Sequence, residues 1–379
     1  MRSFATVVCL SLLAVTLLAG SAQARTVNGC KIKAKTSCAY KNLNGKNLRG
    51  AKLSGATLHH VKLRGADLRN ADLRGADLRR ADLTKADLRG ANLKGAKLHY
   101  YTAPRNKGAV TGQTPSCAPN CQGANLNEAV LIGANLSNAN MTSAELNRAN
   151  LTSANLSSAT LTGANLTSVK LDKATLIGAN LSNANMTNAE INYANLTSAN
   201  LSSATLTGAA ISDTYLNNAN MTSAVLIGAT LDSSNLSGAD LSNANLTSAR
   251  LIGANLNNAS MTSANLSNAN LEAAVLILAN LSNAILSSAN LLDTKIAYAN
   301  LDGANLTSAN LNNAVLIGAN LDSANLTSAN LDGANLTSVW LSNANLTGAN
   351  LANLLLTGAL GCSTVTPAGI LNSFSCASY

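Results

Sequence analysis

The sequence predicts an all-β solenoid, in which the chain coils around a narrow apolar interior. Three observations predict this fold class. Leucine or another large apolar residue returns at every fifth position along most of the 379-residue chain. A small residue, usually alanine, stands two positions before almost every one of these leucines. Aromatic residues make up only 3% of the chain, as expected for an interior that has no room for rings.

The five-residue period excludes the regular alternatives. In an α-helix, five residues advance the chain by about 140°, so the leucines would spiral around every face. A plain β-strand has a period of two and does not fit either. A composite unit does fit, because Ala-Asn-Leu can be three extended residues that point in, out and in. The two residues that follow, such as Thr-Ser or Ile-Gly, are turn formers.

The first element, residues 1–24, has the features of a secretory signal peptide. Arg2 precedes an apolar run from Val7 to Leu18, and Ala22-Gln23-Ala24 has the pattern of a cleavage site. The run is too short for a membrane span, which needs about 20 residues. We therefore expect an exported chain, periplasmic or extracellular after cleavage near Ala24, without a transmembrane segment.

The repeats fall into two blocks. Twelve consecutive pentads run from Leu43 to Leu98, and forty-seven more run from Leu126 to Leu356. The predicted divisions are a basic N-terminal cap with the first block (25–98), a linker or insert loop (99–122), the main solenoid (123–358) and a C-terminal cap (359–379). The insert breaks the five-residue register. We therefore favour two solenoid units joined by an ordered loop, with one solenoid carrying a long bulge almost equally well supported.

Six cysteines follow the signal peptide, and they occur in three local pairs. An even number of cysteines in an exported chain favours disulfides. The expected bridges, which would staple the ends of the solenoid, are Cys30–Cys38, Cys117–Cys121 and Cys362–Cys376. A metal site at the C-x₃-C spacing of the second pair is the alternative, but no other good ligand lies nearby.

The A-[DN]-L-x-x tandem resembles the pentapeptide-repeat proteins, and the resemblance covers almost the whole chain after residue 24. It implies a right-handed quadrilateral β-helix with four pentads in each coil of twenty residues. Some cytoplasmic members of that family mimic DNA with a strongly negative surface and act on DNA gyrase. That function is disfavoured here by the export signal and by the net charge of +9.

Catalytic, cofactor and metal sites are not expected. The three histidines are His59, His60 and His99. On twenty-residue coils His59 and His99 lie two coils apart, too far to share a zinc ion. No Ser-His-Asp or Cys-His set can be assembled from the spacing. The sequence therefore predicts a non-enzymatic binding or structural scaffold, without a small-molecule substrate.

Charge is divided sharply along the chain. Between residues 25 and 107, twenty Lys and Arg residues face five Asp residues, whereas beyond them five Lys and Arg residues face twelve acidic ones. Such asymmetry points to an anionic partner for the basic end. We predict an envelope polymer or another polyanion, bound by Arg49, Arg64, Arg69, Arg74, Arg79, Arg89 and Lys94. The alternative is a solvated face on which each Asp screens its Arg neighbours.

Two further surfaces stand out in the second block. An outward column of Thr and Asn residues, including Thr167, Thr187 and Thr247, resembles the arrays of ice-binding or adhesive rods. Stacked Asn and Thr side chains that only bond to each other are the simpler interpretation. Trp340 occupies an outward position, where it could contact a partner or a second copy at a solenoid end, or be a tolerated surface residue.

Overall fold

The computed structural model describes residues 25–83, 86–98, 121–361 and 363–366. The predicted signal peptide and Cys117, Cys362, Cys376 and His99 lie outside these residues. The chain enters through a small antiparallel hairpin of β1 (Thr26–Val27) and β2 (Cys30–Lys31), with Val27 opposite Cys30. Beyond it, the described chain forms single parallel β-bridges rather than longer strands. No helix occurs among the described residues, and so none there is long and apolar enough to cross a membrane.

The bridges repeat every five residues and connect positions twenty residues apart. Asn135 pairs with Asn155, Asn155 with Thr175, and Thr175 with Asn195. Four bridges per twenty residues give the coil four sides, each with a single extended segment. The predicted coil of four pentads is therefore confirmed. Backbone hydrogen bonds join successive coils, as from the Leu151 amide to the Lys170 carbonyl at 2.7 Å.

Each corner is a β-turn that explains the last two residues of the pentad. The Ala154 amide donates to the Leu151 carbonyl at 2.9 Å, and Ser153 between them has a φ of 57°. A turn with a left-handed third residue favours Gly or Asn. This chain places Gly, Asn and many Ser residues there, with Gly228 at a φ of 63° as one example.

The Asn or Asp that precedes each Leu also has a structural reason. Its side chain accepts a hydrogen bond from the backbone amide two residues later, as from Thr152 to Asn150 Oδ1 at 3.1 Å. That bond satisfies a donor that points away from the ladder, in the manner of an Asx-turn. Asp67 accepts the same bond from the Arg69 amide. Asp and Asn at the middle position of A-[DN]-L therefore make the same hydrogen bond.

The interior consists of the Leu and Ala positions, which are buried almost without exception. Leu231 and Ala229 are both 0% exposed, and Met221 replaces a leucine at 0%. Fully burying a leucine contributes about 1.5–3 kcal/mol. In a solenoid that contribution is shared only between neighbouring coils.

The two blocks form one stack, which corrects the favoured prediction of separate units. Asn92 pairs with Asn125, and Lys97 pairs with Val130. The Leu93 amide donates to the Asn125 carbonyl at 2.6 Å, and the Leu98 amide to the Val130 carbonyl at 3.0 Å. The ladder therefore continues in register from the described end of the first block, at Leu98, into the second block, which is described from Cys121. The single solenoid, which was the alternative, describes the chain.

The N-terminal end is stapled as predicted. Cys30 and Cys38 form a disulfide with their Cα atoms 5.1 Å apart, and both residues are fully buried. Cys121 is buried at a leucine position. The proposed Cys117–Cys121 and Cys362–Cys376 bridges involve residues outside the described ones and stay predictions.

Candidate functional site: the basic coils

The basic coils are defined here as the described residues from 25 to 98. Their most regular feature is an ion pair within each Asp-Leu-Arg triplet. Residues two apart on an extended segment point to the same side, so the Asp67 carboxylate meets the Arg69 guanidinium. Arg69 Nε donates to Asp67 Oδ1 at 2.8 Å, and Arg69 Nη2 donates to Oδ2 at 2.6 Å. The same two-pronged contact joins Asp72 to Arg74, Asp77 to Arg79 and Asp87 to Arg89.

These contacts change the acidity of the carboxyl groups. The side-chain hydrogen bond from Arg69 lowers the pKa of Asp67 to about 2, against a desolvation effect that raises it. Hydrogen bonds from the paired arginines likewise lower the pKa of Asp72, Asp77 and Asp87. Exposed ion pairs contribute only about 0–1 kcal/mol to stability. Their main effect is that four of the seven proposed polyanion contacts already hold a carboxylate.

The register stacks the cations in columns. Because Asn47, Asp67 and Asp87 pair in succession, Arg49, Arg69 and Arg89 occupy one column. Arg74 and Lys94 share the next column, where the Gly75 amide donates to the Lys94 carbonyl. Both are the stackings that a twenty-residue coil predicts. Their role in binding a polyanion stays a prediction.

The uncompensated charge lies in the first coils. Residues 25–66 contain ten Lys and Arg residues and no Asp or Glu. Arg49 follows Asn47 rather than an aspartate, and Asn47 Oδ1 accepts only the Arg49 backbone amide among the described contacts. Arg64 approaches an acid from a later coil, with its Nε 3.6 Å from Asp82 Oδ2. Lys94 Nζ lies 3.7 Å from Glu128 Oε1 across the junction of the blocks.

A cleft of about 270 Å³ opens at one corner of these coils, lined by Tyr40, His59, His60, Arg79 and Arg80. The Tyr40 ring stacks on His60, with ring centres 4.7 Å apart and an interplanar angle of 10°. His59 packs edge-on against both rings. Burial is the largest of the effects that lower the pKa of His60. The charges of Arg80 and then of His59 lower it further. Sequence reasoning considered these histidines only as zinc ligands and missed Tyr40, although Tyr40 stands twenty residues before His60.

Metal chemistry finds no support in the described part of the chain. No group of three or more His, Cys, Asp or Glu residues there is arranged to hold a metal ion. His59 and His60 line the cleft together with Arg79 and Arg80, and the Arg79 guanidinium is paired with Asp77.

The Thr column of the second block is held rigidly by the repeat itself. Thr187 Oγ1 donates to Asn185 Oδ1 at 2.7 Å, and Thr247 Oγ1 donates to Asn245 Oδ1 at 2.6 Å. The same bond recurs at Thr167, Thr307, Thr327 and Thr347. These six hydroxyl groups thus make the same contact, whereas Ile227 interrupts the column between Thr207 and Thr247.

Trp340 lies where the sequence placed it, on the outer surface. It is 45% exposed and pairs with Asn320 on one side and Leu360 on the other. Leu355 and Val365, in the last described coils, are each 54% exposed. The C-terminal end of the rod therefore carries several outward apolar side chains.

The fold and these surfaces define a four-sided β-solenoid built from tandem pentads, with its variable chemistry on the outward positions. The family model for pentapeptide repeats matches residues 41–99, 120–297 and 299–338. The chain therefore belongs to the pentapeptide-repeat family, and its fold is the right-handed quadrilateral β-helix that the resemblance implied. Proteins of this family are typically non-catalytic scaffolds.

Solved structures with a similar chain path include three pentapeptide-repeat proteins. QnrB1, a plasmid-mediated fluoroquinolone resistance protein, is 18% identical over 50% of this chain and 89% of its own, with a TM-score of 0.35. HetL, involved in heterocyst differentiation regulation in Nostoc sp. strain PCC 7120, is 28% identical over 83% of this chain and 92% of its own, with a TM-score of 0.17.

The third is a pentapeptide repeat protein from the thylakoid lumen of Arabidopsis thaliana. It is 33% identical over 24% of this chain and 66% of its own, with a TM-score of 0.22. No curated protein matches the chain in sequence.

Proposed function

We propose that this protein is an exported scaffold whose basic coils bind an anionic polymer of the cell envelope or the extracellular space. One observation supports the proposal above all others. Residues 25–66 place ten cations at one end of a rigid rod without a single acidic residue. The arginines of the following coils are mostly paired with aspartates. The first coils therefore carry most of the cations that are available to bind an anionic polymer.

The stacking of the cations suits a polymer with regularly spaced charges. Successive coils lie about 4.8 Å apart, so the cations of the acid-free coils, Arg49 and Lys52 among them, are held at fixed positions on an ordered surface. A flexible surface would lose side-chain and backbone entropy on binding, whereas a solenoid is already ordered. Arginine also matches phosphate and carboxylate geometry with two parallel hydrogen bonds.

Export is part of the proposal and has its own support. The first 24 residues have the order of features expected of a signal peptide. The Cys30–Cys38 disulfide fits an oxidising compartment. N-terminal sequencing of protein recovered from the periplasm or medium should begin at Arg25. Recovery of the uncleaved chain from the cytoplasm would overturn this part.

The direct test of binding is retention on immobilised polyphosphate. The mature chain, with its disulfide intact, should bind at low salt and elute in a gradient, because counterion release makes such binding strongly salt-dependent. Unmodified resin is the control for matrix adsorption. Passage through the polyphosphate column at low salt would refute the function.

A DNA-mimicking action on gyrase is the disfavoured alternative. Such a surface has to be negative, and the acid-free coils from residue 25 to 66 are its opposite.

Ice binding or surface adhesion by the Thr column is a second candidate, favoured by one observation. The Oγ1–Oδ1 bonds at Thr187 and Thr247 hold the hydroxyls in a common orientation, which gives a regular array. A thermal-hysteresis assay on the mature chain decides the ice-binding form. Absence of both hysteresis and inhibition of ice recrystallisation would remove it.

Trp340 is proposed as a contact for a second copy at the C-terminal end. The support is its exposure and the partly exposed Leu360, which stacks on it in the next coil. Sedimentation velocity of the mature chain should show a dimer that Trp340→Ala weakens. An unchanged sedimentation coefficient in the variant would show that Trp340 is a tolerated surface residue.

A further inference from the structure

A second cleft lies at a corner of the main block, in coils that carry little positive charge. Its volume is about 280 Å³, and its lining is Tyr193, Asp213, Thr214, Tyr215, Ser233 and Asn235. Tyr193 is 59% exposed and Tyr215 is 55% exposed. Large exposed rings are rare in a chain whose outward positions are mostly Asn, Ser and Thr, so two rings at one corner set this place apart.

The interior is also altered at this corner. Thr214 and Ser234 occupy positions that are alanine in most pentads, and both are 1% exposed. At a regular corner the Ala209 amide donates to the Leu206 carbonyl at 3.0 Å. Here the Thr214 amide donates to Ser234 Oγ at 3.1 Å, and Ser234 Oγ donates to the Ile211 carbonyl at 2.6 Å.

The Ser234 hydroxyl is therefore inserted into the turn between Ile211 and Thr214. Thr214 Oγ1 makes a related contact, donating to the Ile191 carbonyl at 2.9 Å. Both hydroxyls are satisfied although they are buried, so the altered corner is a stable arrangement rather than a defect. The altered interior and the two exposed tyrosine rings therefore occur at the same corner, and Tyr215 directly follows Thr214.

The lining has a definite chemistry. Asp213 is exposed and, among the described residues, its carboxylate makes no hydrogen bond or ion pair. The remaining lining residues are Tyr193, Tyr215, Thr214, Ser233 and Asn235, with no cation, and the Thr214 hydroxyl is used within the interior. Ring faces and a carboxylate are the groups that attract an alkylammonium ion, because the π-system has a negative face.

We propose that this cleft binds an alkylammonium group, with Tyr193 and Tyr215 providing ring faces and Asp213 the countercharge. An anion would be repelled by Asp213. No lysine or arginine lines the cleft: Lys173 lies one coil before Tyr193 in the same column, and Lys170 Nζ lies 3.3 Å from Glu190 Oε2. The proposal is independent of the polyanion site, which lies in the basic coils at the N-terminal end of the stack.

The test uses the mature full-length chain and choline, titrated by NMR at low ionic strength. We expect a millimolar dissociation constant, because exposed cation–π contacts are weak, and chemical-shift changes confined to the cleft. The neutral isostere 3,3-dimethyl-1-butanol should not bind. Equal binding of the isostere would overturn the proposal, since it has the shape of choline without the charge.

Variants separate the roles of ring and carboxylate. Asp213→Asn should weaken choline binding, and Tyr193→Leu or Tyr215→Leu should weaken it by about two- to fivefold each. Tyr193→Phe and Tyr215→Phe should retain binding, because phenylalanine keeps the ring face. Tyr298→Leu is the matched control for Tyr193→Leu, since Tyr298 has the pentad position of Tyr193 and is 61% exposed outside the cleft.

Two results would contradict the assignment of this cleft as an alkylammonium site. One is full choline binding by the Asp213→Asn and Tyr→Leu variants. The other is equal weakening by Tyr298→Leu, which would show that any exposed tyrosine suffices. Circular dichroism of each variant confirms that a loss of binding is not a loss of fold.

Discussion

Asn92 pairs with Asn125 in a parallel bridge, although thirty-three residues separate them instead of the usual twenty. The pairing joins the last coils of the first block to the opening coil of the second. Because Leu93, Leu98 and Leu126 are all buried, one apolar interior continues through the junction. The basic coils and the net acidic main block thus belong to one continuous stack.

Hydrogen exchange should detect that continuity. The amides of Leu93 and Gly95 donate across the junction to Asn125 and Asn127, so we expect them to exchange as slowly as the Leu73 amide. Leu73 is the control because it donates within the first block, to Asn92. Fast exchange at Leu93 and Gly95 with protection at Leu73 would mean that the blocks separate in solution.

The carboxyl of Asp67 should titrate at a pKa of about 2 when followed by NMR, because Arg69 stabilises its charged form. A depressed carboxyl pKa adds stability above the unfolded value of 3.8, and that stability is lost as the pH falls toward 2. Arg69→Gln should return the pKa toward 3.8. An unchanged pKa in this variant would contradict the role of the pair.

The free energy of unfolding should depend on the volume of a core side chain and not on which large apolar residue provides that volume. Leu231→Ala should lower the free energy of unfolding by about 2–5 kcal/mol, since it opens a cavity between stacked coils. Met221→Leu keeps the volume and should change it by less than about 1.5 kcal/mol. Both positions are fully buried. Chemical denaturation measures the difference, and equal effects would argue against a tightly packed interior.

The sequence predicts the regular part of the molecule almost completely, because one pentad fixes which side chains point inward and which residues form the corner. Leu231 and Ala229 could be assigned to the core from spacing alone. The continuity from Asn92 to Asn125 could not be predicted, because an insert without pentads interrupts the periodic signal. Handedness came from resemblance to the family and not from the period.

The sites were harder to predict from the sequence than the fold was. The Arg columns follow from the twenty-residue coil, but the two-pronged Arg69–Asp67 contact needs side-chain geometry. The cleft around Tyr193 and Tyr215 was missed, since these residues are twenty-two apart and occupy different pentad positions. A signal did exist, because Thr214 and Ser234 depart from alanine in consecutive coils at the same place.

The measurement that tests the central claim most directly compares two variants on the polyphosphate column. Arg49→Ser/Lys52→Ser removes two cations of the acid-free coils. Asp67→Asn/Arg69→Ser removes one complete ion pair directly beside Arg49 in the stack and leaves the net charge unchanged. The account predicts that the first variant elutes at lower salt, with its salt slope reduced by about 0.7–0.9 for each lost contact, and that the second elutes like the parent. Elution of both variants at the salt concentration of the parent would contradict polyanion binding by the basic coils.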